Sequence, residues 1–412
     1  MLATLSQSIL LVASFSLAAF AAPAAHRGKP SGPPGHTTGP KAIYFIANDP
    51  VNSVVALPVA SDGTLSMGTL TPTEGTGSNS INGDTNEPAA PDALISQSSL
   101  TIAGNNMFAV NAGSNTLTML SIDPRDPTKL TVVGDPVAIP GEFPNTVAAS
   151  AKNRLACVAT TGTLNGVSCS SFSNTGLGTM DALRSFGLDQ VTPPVGPTNT
   201  VSQVFFSEDE SSLFATVKGD PAVNLTGFFS VFPVESQGCK ETASLATEDI
   251  RSSPSGTAVL FGSKPIPGTS SVFVTDASFG GAVLSVDPTT NMASLVAKQG
   301  IDGQSATCWV TISDVTGSAF VTDVGVNRVV EMSLTDASII SMLDLSANGD
   351  PGLIDLVAKG NFVYALSPGN GTTPAAVTVL DVSGGQGSAK VTQHFTLDGM
   401  GVGKNAQGMA SI

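Results

Sequence analysis

The chain has 412 residues, of which only 12% are charged, with 43 Gly and 27 Pro. Its formal net charge is −15, and its 17 Lys and Arg residues form no basic cluster, which excludes nucleic-acid binding through a positive face. Abundant turn residues without strong helical periodicity indicate an all-β chain, in which repeats can share one core as a single large domain.

The first element is an address. Residues 9–22 (ILLVASFSLAAFAA) are apolar, too short to span a bilayer comfortably, and end in small residues. Residues 1–21 are expected to be a secretory signal peptide cleaved after Ala21, and residues 22–40, rich in Pro, Gly and Ala, a disordered tether. No later stretch is long and apolar enough for a transmembrane helix, and with Ala410-Ser411-Ile412 in place of a hydrophobic tail no lipid anchor is expected. The expected location is extracellular or the cell wall.

From residue 41 onward one pattern recurs. Residues 42–47 (AIYFIA), a turn over 48–52 and residues 53–59 (SVVALPV) read as a β-hairpin. Residues 107–112 and 116–122 repeat it, and further copies begin at Leu155, Leu213, Val272, Ala319 and Phe362. Before most hairpins stands a short leading strand: 100–103, 146–150, 202–206, 257–262, 306–312 and 353–358. A fourth strand tends to follow, as in 130–133 and 293–298. Four antiparallel strands per repeat make a propeller blade. The first hairpin lacks its leading strand, whereas residues 405–412 form a leading strand with no hairpin after it. The expected fold is therefore a seven-bladed β-propeller over residues 41–412, closed by the C-terminal strand joining blade one.

Cys157 and Cys169 fall on neighbouring strands of one hairpin and are expected to form a disulfide. Cys239 and Cys308 lie in different blades and read as free thiols. Sequons at Asn224 and Asn370 fall in Gly- and Pro-containing connections, where glycans are tolerated.

The segments Ala42–Asp49, Ser53–Val59 and Asp62-Gly63-Thr64-Leu65 resemble the blade signature of lactonase-type seven-bladed propellers. That group includes 6-phosphogluconolactonases and carboxymuconate cyclases. Leu155–Ser171, Asp181–Phe186, Pro193–Glu210 and Ala306–Trp309 read like its secreted fungal branch, known as cell-wall or surface glycoproteins. The resemblance covers residues 41 to 412 and implies opening or closing of a lactone beside carboxylates. Inner strands of the family's enzymes commonly begin with Pro-Arg-His or Pro-His. Here Pro144 is followed by Asn145, and Pro197-Thr198-Asn199 replaces the element in the next blade.

Of the three His, His26 and His36 lie in the tether and His394 on a late outer strand, so no His-based catalyst can be assembled. Carboxylates near the predicted inner strands (Glu142, Glu248, Asp249, Asp302 and Asp355) are the substitutes, with Arg251 to hold a substrate carboxylate. Arg251, Asp302, Asp355 and Glu142 are the catalytic candidates. Asn145, Gln203, Gln304 and Gln407 recur near inner-strand starts and form a candidate polar ring for a lactone or sugar-like ligand. Trp309, the only Trp, reads as core packing. No phosphate loop, nucleophile elbow, zinc pattern or calcium loop is present, and neither metal nor cofactor is expected. Three readings follow for a chain expected to be monomeric: a secreted lactonase or cyclase, a non-catalytic cell-wall or surface glycoprotein (an antigen or adhesin) meeting cell-wall or extracellular-matrix partners, or a small-ligand binder at the channel mouth.

Overall fold

The β-branched and aromatic runs of the hairpins form strands buried on both faces. Leu155–Thr160, Ser212–Val217 and Ser318–Asp323 expose no residue on either side. Such strands read as continuous apolar stretches because neighbouring sheets cover both faces. The outermost strands differ: Ala293–Gly300 alternates between covered and open positions, and Lys390–Thr396 is largely exposed.

The structure is a computed structural model that describes residues 41–235 and 243–412. The expected signal peptide, tether and Cys239 lie outside these residues. The described residues build seven antiparallel sheets, each with a path of four strands, in chain order around a ring. The inner strands are Gln407–Ser411 in blade 1 and Leu100–Ala103, Pro144–Ser150 and Val201–Phe206 in blades 2 to 4. Leu260–Pro265, Thr307–Ser313 and Ile354–Lys359 complete the set in blades 5 to 7. Each inner strand packs against the next, and that of blade 7 meets that of blade 1.

The ring closes as its sequence indicates. Ile43 pairs with Ser411, Tyr44 with Ala410 and Ile46 with Gln407, so the C-terminal strand is the innermost strand of blade 1. The Ile412 amide adds a hydrogen bond of 3.1 Å to the Ala42 carbonyl. One large apolar core runs from blade 6 through blades 7, 1 and 2 into blade 3, and smaller ones fill the spaces between blades 3 and 4, 4 and 5, and 5 and 6. Cys157 lies directly opposite Cys169 and is bonded to it, and Cys308 is a buried free thiol. This bond closes a sequence separation of 12 residues, worth about 3 kcal/mol by loop entropy alone.

Strand boundaries shift where side chains replace ladder bonds. The inner strand of blade 5, expected at 257–262, begins at Leu260. The Asp276 carboxylate accepts the Ala258 and Val259 amides at 2.7 and 3.1 Å, so that backbone is satisfied without pairing. Asp323 does the same for Ser305 and Ala306 at 2.8 and 3.2 Å, and the blade 6 strand starts at Thr307.

Removing residues 405–412 would strip blade 1 of its inner strand and bare an apolar sheet edge at the axis. The truncated protein is expected to elute as aggregate in size-exclusion chromatography, while the full chain elutes as a discrete species.

Candidate functional site

Seven inner strands converge on an axis around which polar side chains such as Asn145, Ser202, Gln203 and Gln407 are buried. In six blades the pairing of the first and second strands slips by a residue or more: at Asn145, Ser202, Phe261–Gly262, Cys308 and Asp355, and near Gln407 in blade 1. A bulge turns the extra residue out of the ladder. Repeated around the ring, these bulges collect Asn145, Ser202, Cys308 and Asp355 at the centre.

The centre is occupied by the chain itself. Between the third strand of blade 1 and the inner strand of blade 2 runs a long connection, residues 73–99. Part of it pairs in parallel with residues 195–196, Ile81 opposite Val195 and Asn82 opposite Gly196. Residues 92–98 then enter the axis as a plug. Asp92, Ile95 and Ser98 have φ of 65°, 50° and 65°, left-handed values that side-chain-bearing residues adopt only when held.

The holding contacts come from many blades. Trp309 Nε1 and Gln407 Nε2 each donate to the Ser96 carbonyl at 3.1 Å. Gln97 acts as a surrogate strand: its Nε2 donates to the Val310 carbonyl at 2.8 Å, and its Oε1 accepts the Val310 amide at 3.2 Å. Its own amide donates to the Ser202 carbonyl at 2.9 Å. Asn145 Nδ2 reaches the Leu94 carbonyl at 3.3 Å, and Gln203 Nε2 reaches Ser98 Oγ at 3.0 Å. Gly262 admits this packing, because a Cβ there would stand 2.1 Å from Gln97 Oε1 and 2.6 Å from the Cys308 carbonyl.

The plug divides the axis into two mouths. The leading mouth, where inner strands begin, is a pocket of about 160 Å³ walled by Ala89, Pro91, Ile95, Pro197, Val259 and Phe261. Asp92, Lys218 and Cys308 also line it. Lys218 Nζ donates to the Ile95 carbonyl at 2.8 Å and to Ser202 Oγ at 2.9 Å, and lies 4.5 Å from the Phe261 ring centroid. Asp92 Oδ1 accepts from Gln407 Nε2 at 3.2 Å. Burial pushes the Asp92 carboxyl up to about 7 against the opposing pull of the Lys218 charge. It pushes the Lys218 amine down to about 7 against the pull of Asp92. Burial also raises the Cys308 thiol well above its usual range, so it is neutral and a poor nucleophile.

The trailing mouth, where inner strands end, is a pocket of about 240 Å³ reached by Ser98, Gln203, Ser263 and Lys264. Asp355 lies behind it with φ of 46°, its Oδ1 accepting the Leu356 amide at 2.8 Å and Gln97 Nε2 at 3.3 Å, its Oδ2 without a partner. Burial raises its carboxyl to about 7, with the Lys264 charge opposing.

Of the residues singled out from sequence, Asn145, Gln203, Gln407 and Asp355 meet around the plug. Gln304 instead bridges blades 5 and 6 through the Ala277 carbonyl at 3.0 Å. Glu142 accepts the Thr192 hydroxyl in the connections around blade 3, and the exposed Asp302 offers its carbonyl to Arg328. Arg251 is not at a mouth. It stands in the outer strand Ile250–Ser252 of blade 4, paired with Asp249 at 2.7 Å, donating to the Phe186 and Ser185 carbonyls, with the Phe228 ring centroid 4.5 Å away. It clamps blade 3 to blade 4. His394 Nε2 lies 3.0 Å from the Asp350 carboxylate, and Trp309 is buried. Among the described residues no group of His, Cys, Asp and Glu could hold a metal ion.

Solved structures share this architecture. A candidate 6-phosphogluconolactonase from Bacteroides uniformis matches with a TM-score of 0.59 and 14% identity, covering 91% of this chain and 99% of that one. Another from Bacteroides fragilis gives 0.56 and 10%, covering 92% and 100%. A hypothetical selenium-binding protein from Sulfolobus tokodaii gives 0.58 and 9%, covering 91% and 94%. The chain is thus a seven-bladed propeller similar to lactonase-like structures, and at these identities the likeness is one of fold. No protein-family model and no curated protein matches the sequence.

The raised Asp355 carboxyl has a consequence for stability. Its folded value of about 7 exceeds the unfolded value near 3.9, so the native state binds more protons between pH 4 and 7. Stability therefore falls as pH rises through that window, by up to about 1.4 kcal/mol per pH unit. Asp92 acts in the same sense, and Lys218 acts oppositely above pH 7. Asp355→Asn is expected to make the decline of Tm between pH 5 and 7 shallower. An unchanged slope in thermal melts would show that Asp355 titrates as an ordinary surface carboxylate.

Proposed function

We propose that the protein is a lactonase-like propeller that opens a small uncharged lactone at the leading mouth, with Asp92 as general base. The observation that carries this reading is the Asp92 carboxyl in a pocket walled by apolar side chains that Lys218 also lines, its acidity weakened by burial. A base with a pKa raised in this way can take a proton from water at neutral pH and return it later. Water activated by Asp92 attacks the lactone carbonyl carbon. The Lys218 charge, held by Ile95 and Ser202, acts on the oxyanion through the apolar pocket without pairing with it, and the ring oxygen leaves with the proton returned by Asp92, giving the hydroxy acid.

The substrate class follows from what the pocket lacks. Lys218 is committed to the Ile95 carbonyl and Ser202 Oγ, and Arg251 is on the outer edge. Neither is placed to pair with a substrate carboxylate or phosphate, so uncharged lactones suit the pocket better than anionic ones. Asp92→Asn is expected to lower the rate on uncharged γ- and δ-lactones by about 10²- to 10⁴-fold. Ring opening followed by pH-stat checks this. Equal rates in the variant, or faster turnover of carboxylated lactones, would sink the assignment.

A second reading has its own support. The axis is filled by the chain itself, and Asn224 and Asn370 are exposed on connections. These features, the disulfide and residues 1–21 favour a secreted, monomeric surface glycoprotein that presents the ring to cell-wall or extracellular-matrix partners. Protein secreted from a eukaryotic host should lose mass on removal of N-glycans, in two steps abolished by Asn224→Gln and Asn370→Gln. Absence of any shift would remove the glycoprotein reading.

A further inference from the structure

The trailing mouth has chemistry that lactone opening at the other mouth does not use. Lys264 sits in the inner strand of blade 5, only partly exposed, in the wall of the 240 Å³ pocket. Among the described residues its amine donates no hydrogen bond and forms no ion pair. The other withdrawn lysine, Lys218, is fully engaged. Among the described surface lysines, Lys152 and Lys390 have acceptors, the Asp209 carbonyl at 2.7 Å and the Asp381 carboxylate at 3.3 Å, whereas Lys404 has none but stands in solvent; what sets Lys264 apart is an unpaired amine withdrawn into a pocket wall.

The groups facing Lys264 come from several elements. Asp355, on the inner strand of blade 7, is the charged neighbour that opposes the effect of burial on Lys264. Glu208 and Glu210 line the same pocket, but their carboxylates already accept the Gly268 amide and the Ser150 hydroxyl. Burial lowers the Lys264 amine, which raises the fraction of neutral, nucleophilic nitrogen. Ser263 Oγ is buried without a partner and belongs to the same pocket. The wall also includes Ser98, Gln203 and Ser207. A free amine among hydroxyl and amide groups suits a ligand with one electrophilic carbonyl and several hydroxyls.

We propose that the trailing mouth is a second small-molecule site, which takes a hydroxylated aldehyde and holds it through Lys264 as a reversible imine. The Lys264 nitrogen lone pair forms the new C–N bond at the carbonyl carbon while the carbonyl oxygen takes up a proton. The resulting carbinolamine then loses its hydroxyl group with a proton as water, leaving C=N. No oxidant or reductant is consumed, and hydrolysis reverses the capture.

The test uses the intact protein with glyceraldehyde at pH 7.5, trapping imines with cyanoborohydride and mapping lysines by mass spectrometry. An ordinary lysine with a pKa near 10.4 is only about 0.1% neutral at that pH, and each unit of lowering raises this about tenfold. Lys264, unpaired and withdrawn from solvent, is expected to be labelled several-fold faster than Lys152, Lys390 and Lys404. In Lys264→Arg, which keeps the charge, the fast labelling should vanish while Tm stays near that of the parent. Labelling of Lys264 no faster than these three would overturn the proposal. Equal trapping of propanal and glyceraldehyde at Lys264 would overturn the assignment of a hydroxylated ligand.

Discussion

Convergence of seven inner strands on one line creates the constraint on which the molecule rests. Strands paired within one sheet satisfy one another, whereas the innermost strands of sheets that radiate from an axis present an edge of amides and carbonyls with no ladder partner. Water fills this space in a wide channel. Here the chain fills it with residues 92–98, and the bulged starts of the inner strands supply the matching donors and acceptors. Each buried hydrogen bond contributes only about 1 kcal/mol net, but an unpaired buried partner costs about 1 to 3. Register, bulges, the close approach at Gly262 and the left-handed residues of the plug are therefore parts of one arrangement.

The same arrangement explains the odd electrostatics. Filling an axis with protein removes solvent from any ionisable group beside it, so Asp92, Lys218 and Asp355 drift toward neutrality. A lysine and two aspartates would be ordinary on the rim. Sealed between the two mouths, they acquire acid–base behaviour near neutral pH. Stability and chemistry are thus tied to the same residues, and any change that loosens the plug would rehydrate both mouths together.

Much of the architecture was legible because its signal is periodic. The hairpins, the leading strands and the final unmatched strand Gln407–Ser411 gave the blade count and the closure. Cys157 and Cys169 were legible as cross-strand neighbours. Asn145, Gln203, Gln407 and Asp355 could be seen as inward-facing from their place at inner-strand starts. Arg251 could not be placed, since a short extra strand, Ile250–Ser252, intervenes before the inner strand of blade 5. Asp92, Gln97 and the isolated Lys218 and Lys264 gave no local pattern. Residues 73–99 carry turn chemistry like any loop, and only their unusual length between two blades hinted at a task. Their partners are distant in sequence, and no spacing rule spans such separations.

Those separations bear on how the molecule is assembled. Gln97 meets Val310 across 213 residues, and Ser96 meets Gln407 across 311. A chain made from its N-terminus presents the plug after the first hairpin, long before blades 3 to 7 exist to receive it. The peg is thus made first and the wheel is built around it. Until Gln407 arrives, residues 92–98 have no complete set of partners. The strand Gln407–Ser411 therefore both shuts the ring and sets the pin at its hub, so a chain released before it is made would lack its axle as well as its rim.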